Sequence, residues 1–190
     1  MNINFITECD TQGIDLKDLH SLAETVLAKE CEDDSVQVTI LLTSDEVLKE
    51  LNFKFFGTDE PTDVLAFPDT IQDDVFIFPQ QSSDSYSLGD IAISVPNAGR
   101  KASNSIFSLQ EEVAHLLTHA CLHLCGFDHE TVKETQVMQK KEENYLKAQK
   151  YIPDPYLFSV YFLCSSLEGL CSIASGAQKG LKKWWVRNPL

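Results

Sequence analysis

The chain has 190 residues, 43% of them hydrophobic, with 29 acidic against 15 basic side chains and a formal net charge of −14. This fits a soluble globular protein with one full core and an appendage. The opening "MNINFITECDTQGIDL" has no basic segment followed by an apolar run, and the six cysteines lack secreted-type spacing. A signal peptide and a disulfide framework are therefore set aside, and a cytoplasmic protein with reduced thiols is expected.

In chain order, "INFIT" from residue 3 reads as a short strand. "LKDLHSLAETVLAKE" (16–30) has helical apolar spacing, and "SVQVTILL" (35–42) is β-branched and strand-like. Strand, helix, strand in this order predicts a crossover joining parallel strands. Ser44 offers an N-cap to "DEVLKELNFKF", and "DVLAF" (63–67), "DVFIF" (74–78) and "GDIAISV" (89–95) are three further strands, with "PQQSSDSYS" as an exposed hairpin loop. Asp63 and Asp90, at or within these strands, are read as turn or cap residues.

Helices follow. Ser108 and Glu111 form a capping box before an apolar face of Leu109, Val113, Leu116, Leu117, Ala120 and Leu124, and Gly126 ends that helix. Thr131 and Glu134 form a second box, starting a charged helix to about Ala148. The expected fold is α+β with α/β character: a small mixed β-sheet with helices packed on it, closing near Tyr156.

Four of the five histidines lie between His115 and His129. His119 and His123 are four apart, so on a helix they project from one face one turn apart. Gly126 can take the left-handed conformation that turns the chain back and aims His129 at the same point. Three neutral imidazoles with an open fourth position are the pattern of catalytic zinc, one ion per chain, whose bound water is acidified to a pKa near ~7. His115, about 40° round the helix from His119, is a candidate for supporting the ligands or meeting substrate. Cys121 lies about 200° from His119 and is assigned, with Cys125, to core packing. The spacing also fits the metzincin protease pattern except at Ala120, where that chemistry needs a Glu base, so a zinc-protease-like hydrolase is the lesser reading.

"THACLHLCGFDHE" resembles the signature of the YbeY-like endoribonucleases, His-Gly-x-Leu-His-Leu-x-Gly-Tyr-Asp-His. "LNFKFFGTDEPTDVLAFP" (51–68) and "LGDIAIS" (88–94) resemble two further family segments in the right order, so the likeness spans roughly residues 1–156. The resemblance implies a metal-dependent, single-strand-specific endoribonuclease in rRNA maturation, 16S 3′-end processing above all, and in ribosome quality control. It makes His119, His123 and His129 the zinc ligands and single-stranded rRNA or the ribosomal subunit, with ribosomal proteins, the partners. One position departs: where the family has Tyr-Arg, with an Arg for phosphate, this chain reads Phe55-Phe56. Lys54, Arg100 and Lys101 are the candidates to supply the missing cation to the substrate. A ribosome-associated binding or assembly protein with little or no nuclease activity is the alternative.

Residues 157–190 are expected to form a C-terminal extension, an amphipathic helix with a basic, Trp-containing end. The segment "KGLKKWWVR" suits RNA or a membrane interface, or simply the basic, solvated end of a helix packed on the domain. The extension carries four cations and one Glu, which leaves −17 on residues 1–156. So acidic a body repels polyanions at long range, and action on RNA needs local positive charge or a partner.

Overall fold

The computed structural model describes residues 1–31, 35–69 and 87–151. Four strands, β1 (Asn2–Thr7), β2 (Gln37–Thr43), β3 (Val64–Pro68) and β4 (Ser87–Ser94), form one sheet in the order β1-β2-β4-β3. β1, β2 and β4 are parallel, as the strand-helix-strand reading requires, and β3 runs antiparallel on the edge beside β4. The helices are α1 (Leu16–Glu30), α2 (Asp45–Phe56), α3 (Val95–Ser103), α4 (Leu109–Leu124) and α5 (Val132–Ala148).

Alternation along the strands divides the apolar side chains between two layers. Val38, Ile40, Leu42, Val64, Ile91 and Ile93 join α1, α4 and α5 in the larger core, whereas Leu41, Leu65 and Ala92 join Leu48 of α2 in a smaller one. The sheet is therefore covered on both faces. α4 lies inside the larger layer, packed against α1, α3, α5, β3 and β4, and twelve of its sixteen residues are buried, more than the roughly seven to nine that one amphipathic stripe of a surface helix supplies over that length. Leu117 alone, fully buried, contributes roughly 1.5–3 kcal/mol by leaving water.

Both capping boxes are present. Ser108 Oγ accepts from the Glu111 backbone N–H while Glu111 accepts from that of Ser108, and Thr131 with Glu134 does the same at the start of α5. Ser44 occupies the N-cap of α2, but its side chain makes no capping hydrogen bond. α3 was not expected from the sequence. Ser94 ends β4 and caps α3 at once, accepting from the Asn97 N–H at 3.1 Å, with Pro96 in the first turn.

Gly89 sits in β4 at φ +144°, where a Cβ would meet the Phe67 carbonyl oxygen and come within 2.9 Å of Leu124 at the end of α4. The bare backbone lets the sheet and the end of α4 close on each other. The "DVFIF" strand, the hairpin loop and the 157–190 extension lie outside the described residues. No helix among the described residues is long and apolar enough to cross a membrane.

Candidate metal centre

α4 ends in a Schellman arrangement. The Phe127 N–H donates to the Leu122 carbonyl and the Gly126 N–H to that of His123, both at 3.0 Å, with Gly126 at φ +86°. The chain reverses there and delivers His129 to the face that carries His119 and His123. One donor atom from each of the three rings lies within 4.8 Å of the others, and the ring centroids are 4.5, 5.4 and 5.1 Å apart.

The hydrogen bonds fix which nitrogens face inward. His119 Nδ1 lies 2.7 Å from Glu142 Oε1 on α5, and His123 Nδ1 lies 2.9 Å from the Phe127 carbonyl, which can only accept. The proton of His123 is therefore on Nδ1, and Glu142 in its carboxylate form draws that of His119 to Nδ1. The two Nε2 atoms are left as lone pairs facing each other at 3.0 Å. Among the described residues, the buried Nε2 of His129 has no hydrogen-bond partner. Two facing lone pairs beside a third ring nitrogen without a partner are a defect in a bare core and an asset around a cation; tetrahedral Zn–N bonds of ~2.0–2.1 Å put ligand nitrogens about 3.3 Å apart. The residues thus fit a tris-imidazole metal.

Electrostatics agree with the geometry. Burial drives the pKa of His119 and of His123 down to about 3, so both rings are neutral near pH 7, as ligation demands, and it drives that of His115 beside them down to about 4. Burial also lifts Glu142 to about 7. Neither member of the His119–Glu142 contact gains from being charged, so it is better described as a hydrogen bond than as a salt bridge.

The remaining sequence candidates are dispersed. His115 is buried one turn before His119. Lys101 pairs with Asp63, and both lie close enough to act on the charge of His115 and His119. Asp63 is thus a buried ion-pair residue, 5% exposed, and not the turn or cap residue expected. Arg100 is held by Asp45 at 2.8 Å, and Lys54 lies over the Phe55 ring at 5.1 Å. Phe56, in place of the family's Arg, packs in the smaller core with its ring 5.9 Å from that of Phe67. Cys121 is buried in the main core as expected, while half-buried Cys125 also meets Cys31.

Sequence reasoning missed Glu142. The signal was present, because Met138, Glu142, Tyr145 and Leu146 form one helical stripe, and a carboxylate inside an apolar stripe needs a partner.

Comparison with known proteins agrees with this arrangement. The family described as Endoribonuclease YbeY matches residues 4–150. An endoribonuclease YbeY of Thermoanaerobacter sp. (strain X514) is 34% identical over 152 residues, covering 76% of this chain and 96% of that protein. Another, from Desulforamulus reducens, is 36% identical over 132 residues, with 70% and 84% covered. The solution structure of a Thermotoga maritima protein superposes with a TM-score of 0.50 at 28% identity, over 80% of this chain and 97% of that one. With the histidine signature folded into one donor cluster and the match running through all nine elements described, the chain belongs to the endoribonuclease YbeY family.

Proposed function

We propose that this protein is a zinc-dependent endoribonuclease that cuts single-stranded RNA in the cytoplasm, acting in rRNA maturation at the 16S 3′ end and in ribosome quality control. The observation that carries the reading is the pair of His119 and His123 Nε2 lone pairs facing each other at 3.0 Å beside the unpartnered Nε2 of His129. These three residues would hold the ion. A zinc ion there supplies Lewis acidity toward a phosphoryl oxygen and lowers the pKa of water. Glu142 and the Phe127 carbonyl orient the rings, and His115 backs them from the preceding turn. Lys101, whose charge acts on His115 and His119, is the cation best placed to meet a phosphate, on release from Asp63.

Family membership supports RNA as substrate, and Ala120 argues against the protease reading, since no carboxylate stands where that mechanism needs its base. A second reading has an observation of its own. With Phe56 packed against Phe67, and Arg100 and Lys101 paired with Asp45 and Asp63, no unpaired guanidinium is offered by these positions, as suits a ribosome-associated assembly protein.

The test is cleavage of single-stranded rRNA fragments by wild type, His123→Ala and Phe56→Arg, with chelator controls. Cleavage by wild type that disappears in His123→Ala supports the enzyme. Cleavage only by Phe56→Arg supports the assembly role, and ribosomal subunits are then the partner to test.

A further inference from the structure

Cys31 closes α1 and Cys125 closes α4. The backbone of each is committed to its own helix, Cys31 N–H to the Leu27 carbonyl at 2.9 Å and Cys125 N–H to that of Cys121 at 3.1 Å. The side chains meet: their Sγ atoms are 2.9 Å apart across 94 positions of sequence. A disulfide bond is ~2.05 Å long, so closing one asks for an approach of about 0.9 Å, within the reach of small χ adjustments. Both residues are half-buried, unlike Cys121, so a small reagent can reach them.

The surroundings hold the pair together independently of sulfur. Glu30, next to Cys31, takes Lys141 of α5 at 2.8 Å and the Tyr145 hydroxyl, and Lys141 also lies 4.7 Å from the centre of the Phe127 ring, two residues beyond Cys125. The end of α1 and the return after α4 are thus clamped to the same stretch of α5.

We propose that Cys31 and Cys125 form a reversible dithiol–disulfide site that reacts with small-molecule disulfides such as oxidised glutathione. Either sulfur can open the exchange, since the two Sγ atoms meet at 2.9 Å and share one hydrogen bond; attack by Cys31 illustrates it. Its thiolate attacks one sulfur of glutathione disulfide, forming a mixed disulfide and expelling one glutathione thiolate. Cys125 then attacks the Cys31 sulfur and expels the second. Two electrons and both thiol protons pass to glutathione, and two glutathione thiols leave for each bond closed. The proposal does not depend on metal or RNA.

The experiment equilibrates the full-length chain in glutathione redox buffers, quenches in acid, alkylates free thiols and maps peptides without reduction. A Cys31–Cys125 cross-linked peptide is expected, with two fewer alkylated thiols per chain and a Tm rise of roughly 10 °C that dithiothreitol reverses. In Cys125→Ser and in Cys31→Ser alike no cross-linked peptide should form, and the reaction should stop at the mixed disulfide of the remaining cysteine with glutathione. Alkylation of both cysteines at ratios that oxidise Cys9, or a crosslink from Cys31 to any other cysteine, overturns the proposal. If Cys125→Ser does not fold, the wild-type peptide map decides alone.

Discussion

Glu142 Oε1 lies 2.7 Å from His119 Nδ1, so a carboxylate on α5 sets the tautomer of a ring on α4. The carboxylate is almost wholly buried, and its other oxygen has no hydrogen-bond partner among the described residues. Glu142→Ala should lower zinc affinity about 10–100-fold, the usual cost of losing such support. Glu142→Gln, which keeps an acceptor oxygen, should fall between that variant and wild type. Competition against a chromophoric chelator reads both, and three equal affinities would remove Glu142 from the site.

Zinc itself should stabilise the fold. At a free concentration about 100 times Kd it adds about 2.7 kcal/mol, or roughly 5–10 °C in Tm for a domain of this size. His119→Ala and His129→Ala should lose most of that gain, and a chelator should bring wild type to the metal-free value. A melt indifferent to zinc in all three proteins contradicts the metal centre.

Asp90 gives a pH dependence of known sign. Burial raises its pKa from 3.8 to about 6, against the pull of a hydrogen bond from Thr39. Between those two values the unfolded chain has lost a proton that the folded chain still holds, so stability falls as pH rises through the window and the loss is complete above about 6. Asp90→Asn cannot ionise. Its Tm relative to wild type should therefore climb from pH 4 to pH 7, and a flat difference would mean that Asp90 titrates normally.

Gly89→Ala should cost about 3 kcal/mol or more, because the backbone conformation and the Phe67 carbonyl both refuse a methyl group. Gly57 offers the control. It too has positive φ, at +70°, but nothing lies within 4 Å of its Cβ position, so Gly57→Ala should cost only about 1–2 kcal/mol. Denaturant midpoints of the two variants give the comparison, and equal losses would show that the space around Gly89 is not tight.

Local signals made much of this legible. Side-chain oxygens three residues before a Glu marked the starts of α4 and α5, and the His119–His123 spacing with Gly126 placed three donors around one point. What stayed hidden depends on contacts between distant elements. α3 buries only Val95 and Ala98, too few for a periodic pattern, and its cap Ser94 and first residue Val95 read as part of the strand 89–95. Asp63 reads as a turn residue until Lys101, 38 positions on, is folded against it. Glu142 lies 23 residues from the histidine it orients, and nothing in its immediate sequence names that partner.

Two donors on a helix buried on nearly every side, and a third on the return beyond it, divide the centre by timescale. His119 and His123 sit on the most buried helix described, the kind of element expected to open last. His129 is tied down by less: its carbonyl accepts from the Thr135 hydroxyl and its N–H donates to Asp128. An ion bound there would meet a two-nitrogen half-site fixed by the helix, with the third imidazole the less firmly held of the three. Changes between Gly126 and Thr131 would then tune residence time far more than capture.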